Sequence, residues 1–142
     1  MTNRSAEAVW EGTLKEGKGN LKLSSGAFDG AYSFTSRFEE GTGTNPEELI
    51  AAAEAGCFTM ALGGALERAG FPVTRLHTDA KVSLTKEDAG LTISKIELVT
   101  EGHVPNIDDA TFQEKALEAK ANCIISRALS SAEIVLTATL VK

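Results

Sequence analysis

The stretch between Thr44 and Gly70 constrains the fold more than any other part of the sequence. Asn45 is a favourable helix cap, Pro46 suits the first helical position, and the two glutamates that follow complement the positive end of the helix dipole. A glycine just beyond the last apolar residues is a common helix stop. We therefore expect a long helix that begins after Asn45 and ends at about Ala69.

The body of this predicted helix is apolar or small on almost every side, interrupted only by Glu54, Glu67 and Arg68. A helix without a continuous polar face must be covered nearly all round. A chain of 142 residues offers few places to do so, and burial against a second copy of the chain is the economical expectation. The longest uncharged run, 55–66, is shorter than a bilayer span, which favours a core helix over a membrane segment.

Segments typical of strands lie on both sides of this helix. Apolar alternation and turn residues predict strands at 8–14, 20–24, 31–34, 74–85, 91–103 and 132–141. The fifth strand has a break in its alternation near Ser94 and Lys95, and residues 35–43 lack a clear period and are expected to form a loop. Strands and helices without regular alternation predict an α+β fold with a mostly antiparallel sheet, in one domain over 1–142.

A second helix is predicted over 110–121, after a loop with capping carboxylates. It should carry Phe112, Ala116 and Leu117 to the core and stop at a left-handed Asn122. Residues 123–129 then read as a separate helical turn.

Composition and charge exclude several classes of function. The chain is 42% hydrophobic and 24% charged, as in ordinary globular proteins, and its net charge of −6 comes from dispersed acidic residues. Such a chain is not expected to bind nucleic acid or an anionic membrane. The first residues lack the apolar stretch of a secretory signal, so we expect a cytoplasmic protein whose thiols are mostly reduced.

Common catalytic and cofactor motifs are also missing. The sequence contains no G-x-S-x-G, no Walker phosphate loop and no G-x-G-x-x-G. His77, His103 and the two cysteines are not at metal-ligand spacing, and the histidines are expected to be strand residues. We therefore expect no cofactor and no metal.

The two cysteines, Cys57 and Cys123, admit two interpretations from residue type alone. Cysteine is often a small buried hydrophobe, but small neighbours such as Gly56 leave room around the sulfur of Cys57. Cys123 opens a new helical turn, where unpaired backbone N–H groups would lower a thiol pKa. Taken alone, Arg37 suits a solvated loop charge and Glu47 a first-turn glutamate that complements the helix dipole.

The residues themselves resemble a known family. T-N-P-E-E-L-I-A-A-A-E-A-G-C-F-T-M-A-L, residues 44–62, is similar to the central-helix motif of the OsmC/Ohr family, the osmotically inducible and organic hydroperoxide resistance proteins. A-K-A-N-C-I-I-S-R-A-L, residues 119–129, resembles the second cysteine segment of that family, and W-E-G at 10–12 adds to the likeness. Ile124 departs from the proline that commonly follows the second cysteine there, which leaves the start of that turn less rigid.

This resemblance implies an intertwined α+β homodimer, with mostly antiparallel sheets around the long helix, that reduces organic hydroperoxides to alcohols. Cys57 matches the cysteine that attacks the peroxide and Cys123 the resolving cysteine, so the family chemistry implies a sulfenic acid on Cys57 and then a disulfide with Cys123. Glu47 matches the active-site glutamate, and Arg37 matches the catalytic arginine as the OsmC branch places it. A dithiol, such as a lipoyl group, would reduce the disulfide. Apolar residues expected near the thiols favour organic hydroperoxides over hydrogen peroxide, and they are Phe38, Phe58, Met60 and Ile125.

Helix geometry adds one expectation of its own. Glu47 and Cys57 are ten residues apart on one predicted helix, about 15 Å along its axis. If both serve the same peroxide, one of them must come from a second subunit. Two alternatives remain open: a non-catalytic dimeric binding module associated with stress, and a redox sensor that passes its disulfide to a partner.

Overall fold

The computed structural model describes all residues from 1 to 142 and contains six strands and four helices. In chain order they are β1 (Ala6–Glu11), β2 (Lys18–Leu23), β3 (Asp29–Tyr32), α1 (Phe34–Phe38), α2 (Pro46–Arg68), β4 (Arg75–Glu87), β5 (Gly90–His103), α3 (Asp109–Asn122), α4 (Ile124–Ala128) and β6 (Glu133–Leu140). This order confirms the predicted α+β class. The chain divides into two compact units, 1–49 and 50–142, with the boundary inside α2. A single domain over 1–142 stays a prediction.

The N-terminal unit is built on a three-stranded antiparallel sheet in the order β1-β2-β3. Residues 35–43 do not form the predicted loop throughout, because α1 begins directly after β3. The Ser33 hydroxyl accepts the Ser36 N–H at 3.1 Å, and the Ser36 hydroxyl accepts the Ser33 N–H at 2.8 Å. This reciprocal cap satisfies free N–H groups of the first turn and stabilises a helix of only five residues.

No apolar side chain of the N-terminal unit is fully buried. All twelve buried hydrophobic residues lie between Phe58 and Ala132, and the two buried residues before 50 are the polar Ser36 and Thr44. The hydrophobic side chains of β1, β2 and β3 are exposed or half-buried. A unit of this kind gains little from its own apolar burial.

The C-terminal unit contains a second three-stranded sheet in the order β4-β5-β6. β4 and β5 form a long antiparallel hairpin whose register shifts between Ser83 and Leu84, opposite the unpaired Ser94. This irregularity coincides with the predicted break near Ser94 and Lys95. β6 pairs with β5 in parallel, as a strand can after a helical crossover such as α3 and α4. Mostly antiparallel sheets are therefore confirmed, with one parallel pair.

The helix α2 begins and ends close to the predicted residues. The side chain of Asn45 accepts the Glu48 N–H at 2.7 Å, and Gly70 adopts a left-handed φ of 92° just after the last turn. The Phe71 N–H then donates to the Leu66 carbonyl at 2.8 Å, the bond that closes a Schellman stop. The sequence signals for both ends of this helix are confirmed.

The buried side of α2 is a narrow stripe of Glu54, Phe58, Leu62, Ala65 and Leu66. Other apolar residues of the helix stay accessible in the single chain, and Met60 is 81% exposed. A helix that is apolar all round but covered on one side leaves apolar surface for a further partner.

By length and composition alone α2 could cross a membrane, with a mean hydropathy of 1.6 in its most apolar window. The expectation that it is too short therefore applies to its uncharged run and not to the whole helix. Core helices of soluble proteins meet the same criterion. We keep the core-helix interpretation, because the carboxylate of Glu54 is buried and hydrogen-bonded near the helix centre.

The second predicted helix, α3, is capped by Asp108, which accepts the Thr111 N–H at 3.1 Å. Hydrogen bonds from Thr111 lower the pKa of the Asp108 carboxyl. Phe112 and Ala116 are buried as predicted, but Leu117 is 61% exposed and the prediction that it enters the core was wrong. Its place in the packed face is taken by Ala119.

The predicted left-handed stop at Asn122 was also wrong. Asn122 is the last helical residue, and Cys123 ends α3 with an extended backbone at φ −63° and ψ 122°. The only non-glycine residue with a left-handed φ is Asn106, in the loop before α3. The separate turn predicted after Cys123 is present as α4.

Candidate active site

Two of the predicted site residues, Arg37 and Glu47, meet in the N-terminal unit. Arg37 lies in the last turn of α1, and Glu47 lies in the first turn of α2. The Arg37 Nε and one terminal nitrogen both donate to Glu47 Oε1, at 3.1 and 2.9 Å. The two-point contact orients the guanidinium, although both N–H groups converge on one carboxylate oxygen and do not span the two.

Backbone contacts hold these two residues in place. The Ser36 hydroxyl donates to the Thr44 carbonyl at 2.7 Å, and the Asn45 amide donates to the Ser36 carbonyl at 2.9 Å. These bonds tie α1 to the first turn of α2. Glu47 Oε2 is buried without a hydrogen-bond partner, whereas the Arg37 side chain is 40% exposed. The pair thus presents a guanidinium of fixed direction, with the second oxygen of Glu47 buried beside it without a hydrogen-bond donor.

Aromatic side chains form a small cleft beside Arg37, with a volume of about 220 Å³. Its lining consists of Trp10, Leu14, Tyr32, Ser33, Phe34, Arg37 and Phe38. The guanidinium carbon of Arg37 lies 5.1 Å from the centre of the Phe38 ring. Sequence reasoning had placed apolar side chains near the thiols at Phe38, Phe58, Met60 and Ile125, and it missed this cleft.

That apolar set needs correction, because its members do not share one surface. Phe58 is fully buried in the core and Met60 is exposed to solvent. Ile125 packs against the core cluster of the C-terminal unit. Trp10 and Tyr32, whose rings lie 5.5 Å apart, belong to the cleft. Both residues lie in predicted strands close to turns, but no sequence pattern linked them to Arg37.

The two cysteines meet in the C-terminal unit, and both are free thiols. Cys57 lies on α2 and is half-buried, while Cys123 is fully buried between α3 and α4. Cys57 packs against the buried cluster that includes Cys123, and the two thiols are near enough to interact. Two neighbouring cysteines of this kind are the pair that a disulfide would join.

Cys123 caps α4, and its sulfur accepts the Ser126 N–H at 3.4 Å. The expected interaction with a free backbone N–H is therefore present, but the expected lowering of the thiol pKa was wrong. Burial raises the pKa of Cys123 above its ordinary value of 9.0, and the contact with Cys57 and the negative charge of Glu54 raise it further. These effects outweigh the hydrogen bonds from Ser126, so the pKa of the Cys123 thiol is raised overall.

Sequence reasoning also missed Glu54, a third buried group near the two cysteines. It treated this residue only as a charge that interrupts an apolar helix. Glu54 is fully buried. The Ser126 hydroxyl donates a short hydrogen bond to Glu54 Oε1, and Glu54 Oε2 has no partner. One signal was available: Glu54 is the only charged residue between Leu49 and Leu66, and it precedes Cys57 by three residues.

Comparison with known proteins gives one consistent result. Residues 39–139 match the family of OsmC-like proteins. The chain is 49% identical over 135 residues to the Peroxiredoxin OsmC of Escherichia coli strain K12, covering 94% of each chain. It also resembles an OsmC-like protein of unknown function from Vibrio cholerae, with a TM-score of 0.79 at 17% identity over 97% of this chain and 99% of that one.

A further solved structure, the organic hydroperoxide resistance protein OhrB of Bacillus subtilis, has a TM-score of 0.71 at 24% identity. The match covers 96% of this chain and 98% of that one. At 17% and 24% identity the two solved structures support the fold alone. The similarity in sequence is to the Escherichia coli relative.

Proposed function

The chain belongs to the OsmC family, and from this premise we propose that it is a cysteine-based peroxidase that reduces organic hydroperoxides. One observation carries the proposal: Cys57 and Cys123, both free thiols, pack in the same buried cluster of the C-terminal unit and are near enough to interact. The name of the Escherichia coli relative supports peroxidase activity.

The reaction starts at the half-buried thiol. The Cys57 thiolate attacks the terminal oxygen of the hydroperoxide, the O–O bond breaks, and the departing alkoxide takes a proton to leave as the alcohol. Cys57 is now a sulfenic acid. Cys123 attacks the Cys57 sulfur, water leaves, and the two sulfurs are joined in a disulfide. A dithiol reductant restores both thiols by exchange, and a lipoyl-type dithiol has the required chemistry.

Arg37 supplies the positive charge that this attack needs, and Glu47 orients it. A guanidinium beside a thiolate stabilises the anion, and its N–H groups can donate to the peroxide oxygens as negative charge develops on them. Glu47 holds the guanidinium through two N–H donors.

The substrate class follows from the cleft beside Arg37. Five of its lining residues, Trp10, Leu14, Tyr32, Phe34 and Phe38, are apolar or aromatic. Such a lining gains free energy from the organic part of an alkyl or aryl hydroperoxide and nothing comparable from hydrogen peroxide.

The active form is an intertwined homodimer in which Arg37 and Glu47 of one protomer serve Cys57 of its partner. Ten residues of α2 separate Glu47 from Cys57, about 15 Å along the helix axis. The exposed apolar side of α2 and the lack of a buried apolar core before residue 50 support burial against a second copy. We place this dimer in the cytoplasm, where dithiol reductants are available.

Two other functions share part of this chemistry. A redox sensor would form the same disulfide and pass it to a partner protein, and a binding module would leave the thiols unused. The closeness of the two thiols favours either redox function over the module, and the name of the Escherichia coli relative favours turnover over sensing.

Intact-mass spectrometry of the reduced protein after one equivalent of cumene hydroperoxide tests the proposal. The wild type should lose two mass units as the disulfide forms. Cys123→Ser should gain one oxygen on Cys57, and Cys57→Ser should not react. Thiols that survive unchanged in the wild type would refute the peroxidase. A disulfide that forms once but is not turned over by any dithiol would favour the sensor.

A further inference from the structure

Glu54 is a buried carboxylate that the proposed reaction does not yet use. None of the five ion pairs in the structure includes it. Its one hydrogen-bond donor is the neutral Ser126 hydroxyl, and its Oε2 is buried without any partner. A buried carboxylate without a cation is costly to keep. Such a group is therefore a candidate for a chemical role.

Its neighbours connect Glu54 to both thiols. Ser126 donates its hydroxyl to Glu54 and its backbone N–H to the Cys123 sulfur. On α2, Glu54 lies three residues before Cys57, so the two side chains are neighbours on one helix face. Cys57 in turn packs against the buried cluster that contains Cys123. We call Glu54, Cys57, Cys123 and Ser126 the thiol–carboxylate cluster.

The second half of the peroxidase reaction requires a proton to move within this cluster. Cys123 must lose its thiol proton as its sulfur attacks, and the oxygen that leaves Cys57 must gain one to depart as water. Cys123 is fully buried, which keeps solvent bases away from it. Its raised pKa leaves little thiolate at neutral pH. A base inside the protein would remove this obstacle.

We propose that Glu54 is the proton carrier of the resolving step. The carboxylate accepts the proton of the Cys123 thiol as the new S–S bond forms and the S–O bond of the Cys57 sulfenic acid breaks. The protonated Glu54 then gives that proton to the departing oxygen, which leaves as water. The Cys57 sulfur is reduced, the Cys123 sulfur is oxidised, and Glu54 ends as it began. This assignment rests on the proposed function, because it needs a hydroperoxide to form the sulfenic acid.

A purely electrostatic role for Glu54 predicts the opposite result. Its negative charge raises the pKa of Cys123, so removing that charge would leave more thiolate and would speed disulfide formation. A proton carrier, when removed, slows the same step. The sign of the change separates the two roles.

The test follows single-turnover reactions with equimolar cumene hydroperoxide, quenched by thiol alkylation and resolved by mass spectrometry. In Glu54→Gln the sulfenic acid should form at the wild-type rate. Its conversion to the disulfide should be about 100-fold slower, as expected for loss of general acid–base catalysis. Glu67→Gln, the same change at an exposed glutamate of α2, should match the wild type in both steps.

The pH profile gives a second readout that a structural role would not move. In Glu54→Gln, Cys123 must ionise to solvent, so the rate of disulfide formation should rise about tenfold per pH unit below the thiol pKa. The wild-type rate should change much less. Glu54→Asp, which keeps a carboxylate on a shorter side chain, should keep the weak pH dependence of the wild type at a lower rate, and it serves if Glu54→Gln does not fold.

The outcomes are distinct. Disulfide formation that is unchanged or faster in Glu54→Gln, or that rises about tenfold per pH unit in Glu54→Asp, overturns the proton-carrier role and leaves the peroxidase standing. A wild type that forms neither sulfenic acid nor disulfide overturns both proposals.

Discussion

Two glutamates of α2, Glu47 and Glu54, are seven residues apart and differ in the group that donates to their carboxylates. Each keeps one carboxylate oxygen buried without a partner. The other oxygen of Glu47 receives a guanidinium, whereas that of Glu54 receives a neutral hydroxyl. A carboxylate paired with a cation fixes the direction of its partner. One buried without a cation has no such partner to direct. In the proposed reaction the same residue type therefore serves orientation in one unit and proton transfer in the other.

The largest expected effect comes from removing the reacting sulfur, without which neither glutamate has a reaction to serve. Cys57→Ser should lower hydroperoxide reduction to the uncatalysed background, because a hydroxyl at this position is a far weaker nucleophile. Cys123→Ser is the matched control and should still complete one turnover to the alcohol. Residual activity in Cys57→Ser, measured as peroxide consumed with a dithiol present, would place the chemistry elsewhere.

The orienting role of Glu47 is tested through its partner. Arg37→Lys keeps the charge but loses the two-point contact, and kcat/KM for cumene hydroperoxide should fall about 100-fold. Glu47→Gln should cost about tenfold, since a charge-assisted bond becomes a neutral one. In both variants the slow step should be sulfenic acid formation, in contrast to Glu54→Gln. Slowed disulfide formation instead would erase the distinction between the two glutamates.

The aromatic cleft near Arg37 should affect only the choice of substrate. Phe34→Ala removes one wall of the cleft and should lower kcat/KM for cumene hydroperoxide about tenfold through lost apolar burial. The value for hydrogen peroxide should change little. Phe28→Ala, a half-buried aromatic of the same unit outside the cleft, is the control. Equal losses for both peroxides would assign Phe34 a structural role.

The smallest effect concerns pH and stability near the thiol–carboxylate cluster. The pKa of Cys123 is higher in the folded protein than its ordinary 9.0, so the folded state holds this proton more tightly than the unfolded state. The resulting stabilisation is complete below pH 9 and is lost as pH rises through the folded pKa. Urea unfolding is to be measured from pH 7 to 10 on the reduced protein and on Cys123→Ala. Above pH 9 the free energy of unfolding should fall more steeply in the wild type than in the variant. Parallel curves would contradict the raised pKa.

Local signals predicted the elements well. Asn45, Pro46 and Gly70 set the ends of α2, and each acts through neighbours within a few residues. The short helix α1 escaped prediction because its cap pairs two serines, Ser33 and Ser36, and the usual signature has an acid or amide in the second place.

The site was predictable only in part, because its contacts join distant residues. The resemblance to the family identified Cys57, Cys123, Arg37 and Glu47, but Glu54 meets Ser126 across 72 residues of sequence. No periodicity shows such a contact, and the same holds for the cleft formed by Trp10 and Phe34. The pKa of Cys123 is raised and not lowered as expected, because burial and neighbouring groups from other elements outweigh the hydrogen bonds from nearby Ser126.

The central claim, that one protomer's Arg37 and Glu47 serve its partner's Cys57, is tested by mixing two inactive variants. Arg37→Met and Cys57→Ser should each lack activity alone. Co-refolded in equal amounts, they should form mixed dimers with one complete site, restoring about a quarter of the wild-type rate per protomer if subunits pair at random. A mixture that stays inactive although mixed dimers are present by native mass spectrometry would contradict the claim and place all three residues of a site on one chain.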